Sequence, residues 1–228
     1  MSFRSILVTS LMFASTTVMA YTFDSDVPAE IQEQTHQDLN FMSGIVGTGQ
    51  TQLHQQIFGS MGGSGYKNFF ETRVHAVGMS DCGDANAVAC VIPFYSSSKI
   101  WFTQNYIKFS HPQVARLMIV YHETRHTESQ NRNWFHATCP TPFLDDQGRE
   151  KKSIWTGARL AGKPACDVTP FGSYGSSVIL LKNVQKFCSN CNEKVRMDAG
   201  IYGDDQFGRI IDAHAREQMT NDLYSVLN

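Results

Sequence analysis

The sequence predicts an α+β domain, and three observations carry that expectation. Short β-rich runs, "RVHAVGM", "ACVIPFY" and "KIWFTQ", are grouped between residues 73 and 104. Longer runs with helical spacing come after them instead of alternating with them, which separates a sheet from a layer of helices. Six cysteines in a chain that opens with an export-type leader point to disulfides bracing the domain.

The leader is "MSFRSILVTSLMFASTTVMA", residues 1–20. It has one early cation, Arg4, a mostly apolar run from Ile6 to Ala14, and the ending Val18-Met19-Ala20. That pattern reads as a secretory signal cleaved before Tyr21. The run is too short for a membrane anchor, and Thr9, Ser10, Ser15, Thr16 and Thr17 interrupt it. The expected product is secreted or periplasmic, with no membrane attachment once the signal is gone. Residues 28–43, "PAEIQEQTHQDLNFMS", read as a helix opened by Pro28 and carrying Ile31, Leu39 and Met42. "GSMGGSGY", 59–66, reads as a glycine-rich turn or mobile loop. It lacks the Lys-Ser/Thr ending of a phosphate loop, which argues against nucleotide binding.

The three β-rich runs are expected to form one sheet. In "SHPQVARLMIVYHETRHTE", Ser110 or His111 can cap a helix and Pro112 suits its first turn. Leu117 to Tyr121 make that helix apolar on most sides, as a buried helix is. "SSVILLKNVQKF", 176–187, and "GRIIDAHAREQMTNDLYSVL", 208–227, are two further helices. A formal net charge of −2 with interspersed signs leaves no basic stripe for nucleic acid.

For the cysteines, spacing favours Cys82–Cys90, Cys139–Cys166 and Cys188–Cys191. Cys188-Ser-Asn-Cys191 also spells a redox pair or half a zinc knuckle. No thioredoxin-like context and no second CxxC accompany it, so the structural disulfide is the reading adopted.

"YHETRHTES", 121–129, carries the chemistry. On a helix, residues four apart differ by about 40° around the axis, so His122 and His126 share a face and can share one cation. Glu123 lies about 100° round from His122, beside such a cation and not on it. There it can take a proton from the attacking water and later return it to a leaving amine. H-E-x-x-H thus names a zinc hydrolase by roles as well as letters. The bland alternative is a polar helix face whose groups satisfy one another, but the motif ends a buried apolar run.

Catalytic zinc ordinarily takes three protein ligands, so a third is required. Glu150 and Glu193 are distant candidates without framing. His136 in "WFHATCP" and Asp167 in "ACDVTPFGSYG" both sit beside a cysteine. If Cys139 pairs with Cys166, one bridge brings them together, and one can ligate while the other hydrogen-bonds to a ligand. The residue types favour His136 as ligand and Asp167 as its orienting partner, since imidazole is the commonest zinc ligand.

The order of the strand "SKIWFTQ" and then the motif helix resembles the zincin metallopeptidases, in which an edge strand beside the active-site helix holds extended substrate. The segment from Asp167 to Tyr174-Gly175 is similar to the aspzincins, where an Asp ligand precedes Tyr-Gly by a shorter gap than the six residues here. That resemblance implies the reverse assignment, Asp167 as ligand, and gives Tyr174 the task of stabilising an oxyanion. It covers the motif helix and this short segment. Together these readings describe a zincin-like catalytic domain at 66–228 behind an N-terminal helical extension at 21–65. Its cofactor would be Zn2+ and its partner a peptide or protein substrate. A zinc amidase acting on cell-wall peptides and a zinc-stabilised binding protein are the alternatives.

Overall fold

A computed structural model of the chain describes residues 21–128 and 135–224. The expected signal at 1–20 lies outside the described residues. In chain order the elements are β1 (Thr22–Phe23), α1 (Ala29–Ser43), α2 (Gln52–Phe58), α3 (Gly63–Glu71), β2 (Ala76–Met79), β3 (Ala89–Ile92), β4 (Ser96–Phe102), α4 (Gln104–Lys108), α5 (Gln113–His126), β5 (Ala137–Thr138), β6 (Pro164–Cys166), α6 (Ser173–Phe187), α7 (Glu193–Phe207) and α8 (Ala213–Tyr224). Strands fall mostly in the first half and the long helices mostly in the second, so the α+β expectation is met.

The main sheet runs β1-β2-β4-β3. β1, β2 and β4 are mutually parallel neighbours, and β3 returns antiparallel on β4 as an edge strand. β4 is buried at its end, Ile100-Trp101-Phe102, because it lies inside the sheet and feeds straight into the core. Cys82–Cys90 ties β3 to the loop before it. Thr103 then stops the strand and caps α4, accepting a hydrogen bond from the Asn105 N–H at 3.1 Å.

α5 is the helix around which the rest is arranged. Pro112 occupies its N-cap with no side-chain cap, so the expected Ser110 or His111 cap is not used. Every residue from Val120 to His126 is buried. α1 is held against α5 by an ion pair between Asp38, 1% exposed, and Arg116, Nε to Oδ2 2.7 Å. The buried stripe Ile31, Thr35, Asp38, Met42 gives α1 the 3–4 spacing needed to face that neighbour. Core residues from 21–65, among them Tyr21, Ile31, Met42 and Leu53, belong to the same hydrophobic cluster as Leu117, Ile179 and Leu223. The expected domain boundary at residue 65 falls within α3.

The helices α2, α3, α4 and α7 were not among those expected, and α8 begins at Ala213, later than the expected 208. α3 starts at Gly63, inside the stretch expected to be a loop, and that position takes glycine because an added Cβ would come within 1.6 Å of the Ser43 carbonyl oxygen. α7 was not foreseen. Its Gly200 lies against Gln185 and its Gly203 against Leu181 and Lys182, so the two glycines let α6 and α7 approach closely and antiparallel. The connection between them is closed by Cys188–Cys191 and capped by Asn192, whose Oδ1 accepts from the Val195 N–H at 2.9 Å. The third bridge, Cys139–Cys166, joins β5 to β6, so all three pairings follow the spacing. No described helix is long and apolar enough to cross a membrane.

Candidate metal centre

His122, Glu123 and His126 occupy the last turns of α5. His136 enters from the segment before β5, Asp167 from the residue just after β6, and Tyr174 from the first turn of α6. The Nε2 atoms of the three histidines lie 3.1, 3.2 and 3.3 Å from one another. Three nitrogens around one tetrahedral cation at about 2.0–2.1 Å would sit about 3.3–3.4 Å apart, so the donor set fits a single ion. Asp167 stands outside this triangle, and among the described residues the group able to hold a metal ion is His122, His126 and His136.

The protonation pattern follows from the partners. Asp167 Oδ1 lies 3.0 Å from His136 Nδ1. A carboxylate accepts, so Nδ1 carries the proton and the lone pair of Nε2 turns toward the other two rings. Burial, first of all, and then the neighbouring His126 and His136 push the His122 imidazole well below its usual range, keeping it neutral near pH 7. Neutral imidazole is the form that ligates.

Asp167 is itself fixed on three sides. Its Oδ2 accepts the backbone N–H of Tyr174 at 2.8 Å and of Gly175 at 3.4 Å, a carboxylate at the start of α6 where the helix dipole favours it. Its backbone makes a parallel bridge, donating to Arg209 O at 3.0 Å and accepting from Ile211 N at 2.9 Å. Cys166, its neighbour, carries the disulfide. Gly172 makes room for this carboxylate, since an added Cβ would come within 2.2 Å of Oδ2.

Glu123 is buried and lines the same cleft as the three histidines. Its Oε2 has no hydrogen-bond partner among the described residues, and burial pushes its carboxyl up to about 8. Tyr174 packs its ring 4.6 Å from that of His122 and 4.4 Å from that of His136. The cleft holds about 290 Å³ and also takes in Val88 to Val91 along the β3 edge.

Two residues that sequence reading passed over complete the surroundings. Arg209, 6% exposed, donates from Nη1 to the Tyr174 hydroxyl at 3.1 Å and pairs through Nε with Asp205 at 3.3 Å. Arg125, inside the motif itself, donates to Phe171 O at 2.6 Å and pairs with Glu128, locking the end of α5 to the loop that leads to Tyr174. Only the position of Arg125 within the motif could have drawn attention to it. Arg209 had no sequence signal. Of the weaker ligand candidates, Glu150 pairs with Arg159 and Glu193 opens α7, and neither lines the cleft.

Comparison with protein-family models, with curated proteins and with solved structures finds no match to this chain.

Proposed function

We propose that the chain is an exported zinc-dependent peptidase, with His122, His126 and His136 holding the metal and Glu123 acting as general base. One observation carries the reading: a three-imidazole cluster opens onto a cleft beside the buried carboxyl of Glu123, whose Oε2 has no partner among the described residues. A purely structural zinc site is closed by four protein ligands and has no use for a buried carboxyl oxygen left without a partner at its edge. Imidazole donors suit zinc among other transition metals, and a hydrolytic base beside them favours zinc, which has no redox chemistry of its own.

Zinc at these nitrogens would supply Lewis acidity to the water and to the scissile carbonyl. The chain's own residues do the rest. Glu123 takes a proton from the attacking water and passes it to the leaving amine. Its high proton affinity in the metal-free protein would be lowered by a nearby dication, bringing it into the range of a base at neutral pH. Asp167 holds His136 in one tautomer and one orientation. Tyr174, flanking the metal ligands, is placed to donate to the carbonyl oxygen as charge develops there. β4, the strand expected at the edge beside the motif helix, lies inside the sheet, so it is the edge of β3 that offers backbone groups to an extended peptide lying in the cleft. Three disulfides fit an oxidising compartment, which supports a secreted or periplasmic product.

The test is metal analysis of the purified protein together with hydrolysis of casein, before and after dialysis against a chelator and after zinc is returned. One equivalent of zinc, with hydrolysis that disappears and returns with it, is expected. Casein cleavage that is indifferent to the chelator, or a fully metalled protein inert toward casein and cell-wall peptides alike, would refute the reading.

A further inference from the structure

Arg209 lies in the wall of the metal cleft, and its contacts decide where a proton goes. A guanidinium carries only N–H donors and no acceptor. The 3.1 Å contact between Arg209 Nη1 and the Tyr174 hydroxyl therefore occupies a lone pair of the phenol and leaves its O–H free to donate. Among the described residues no acceptor for that O–H is found, and Tyr174 lines the cleft beside His122 and His136.

The guanidinium is not free to swing away. Asp205, one helical turn earlier, holds Nε at 3.3 Å. The guanidinium carbon sits 4.8 Å from the centre of the Tyr174 ring. Asp167 fixes both members of the pair: its backbone is bridged to Arg209 and Ile211, and its Oδ2 takes the Tyr174 N–H. The residue that orients the ligand His136 thus also sets the spacing of Tyr174 and Arg209.

We infer that Arg209 is a positioning residue that acts through Tyr174. By donating to the phenol oxygen it aims the phenolic O–H at an oxygen of the bound substrate, and its charge makes that O–H a stronger donor. This rests on the reading of the site as one that takes an oxygen-bearing substrate at the metal. It goes beyond that reading by assigning Arg209, which touches no ligand, a share of the effect of Tyr174. A merely structural Arg209 would support the fold equally with or without the phenol. An Arg209 that bound substrate directly would matter even when the hydroxyl is gone. Only action through Tyr174 makes its loss costless once that hydroxyl is removed.

The experiment is a double-mutant cycle read by binding, so that it stands apart from turnover. Zinc-loaded wild type, Tyr174→Phe, Arg209→Met and the double variant are titrated calorimetrically with acetohydroxamate, an oxygen-donor probe for zinc. Zinc stoichiometry and far-ultraviolet circular dichroism of each variant establish that it is folded and metalled. Loss of one charge-assisted hydrogen bond corresponds to roughly 10- to 100-fold in affinity. Tyr174→Phe is expected to weaken the probe by about 10-fold or more, Arg209→Met by a similar factor, and the double variant by no more than Tyr174→Phe alone. Should Arg209→Met fail to fold, Arg209→Lys keeps a cation opposite Asp205 and replaces it in the cycle. It is expected to show a smaller loss with the phenol present and none in the Tyr174→Phe background.

Losses that multiply in the double variant would overturn the inference. So would affinity for the probe that is indifferent to Tyr174→Phe, or a metalled wild type that does not bind the probe at all. A coupled cycle in a protein that cleaves no peptide would refute the peptidase reading and leave the role of Arg209 intact.

Discussion

Two of the places where histidine meets tyrosine among the described residues, His54 with Tyr66 and His122 with Tyr174, are built on opposite terms. His54 lies in the core among α2, α3 and α5. Its Nε2 is 2.7 Å from the Tyr66 hydroxyl and its Nδ1 is 3.2 Å from the Gly59 carbonyl. Both nitrogens are spent, the rings of Phe58 and Tyr66 enclose the imidazole, and burial pushes it down to about 4. Around Tyr174 the groups are turned outward instead. Three Nε2 atoms face one another, a carboxyl oxygen of Glu123 has no partner, and the phenolic O–H is unspent among the described residues. A buried polar group that is satisfied stabilises a fold, whereas a buried carboxyl oxygen such as Glu123 Oε2, left without a partner among the described residues, is costly to keep and calls for a ligand. Burial alone does not distinguish the two places; satisfaction does.

That contrast can be broken by mutation, and the largest effects belong to the metal triangle. His122→Ala and His136→Ala should each abolish stoichiometric zinc binding and activity, measured by metal analysis after gel filtration. If His136→Ala keeps its zinc while Asp167→Ala loses it, the ligand roles are reversed. His54→Ala should do the opposite of both. It leaves the Tyr66 hydroxyl without its partner and opens a cavity, at a cost of about 2–4 kcal/mol by urea denaturation, with zinc stoichiometry unchanged. Loss of metal there would show that the two regions are not independent.

A smaller effect is expected at Asp167→Asn, which keeps the shape of the side chain but not its charge. Zinc affinity should fall by roughly 10- to 100-fold in competition with a chromophoric chelator, because the tautomer of His136 is no longer fixed. A further effect is in the pH dependence of the metal-free protein. Glu123, pushed up to about 8 by burial, binds its proton more tightly folded than unfolded, so it lowers stability as pH rises from about 4.5 to 8. His122, depressed by burial, lowers stability as pH falls below about 6.5. Between about pH 4.5 and 6.5 the two slopes oppose one another, so metal-free stability should be highest there, and Glu123→Gln should remove the decline on the alkaline side. A decline that survives in that variant would locate its origin elsewhere.

Much of this was legible in the sequence where one signal dominates. The apolar run ahead of His122 marked α5, and H-E-x-x-H on one helix face fixed the relation of three of the site's residues before any tertiary contact was known. The cysteine spacings gave all three bridges, and through Cys139–Cys166 the meeting of His136 with Asp167. α7 was hidden because Gly200 and Gly203 weaken helix propensity, while their purpose, close approach to α6, is visible only in the packed structure. The start of α3 was hidden for the same reason at Gly63. Arg209 was read as part of a helix spanning 208–227, but α8 begins at Ala213 and residues 208–212 form a turn bridged to Asp167. A buried arginine placed by such a long-range bridge has no local signature.

The most direct measurement of the central claim is made on Glu123→Gln, comparing zinc content with peptide hydrolysis in one preparation. A base that is not a ligand should leave one zinc per chain while the rate on casein falls by about 100- to 10,000-fold. An unchanged rate with zinc bound would contradict the assignment of Glu123, and loss of the zinc itself would show that its carboxyl belongs to the ligand set.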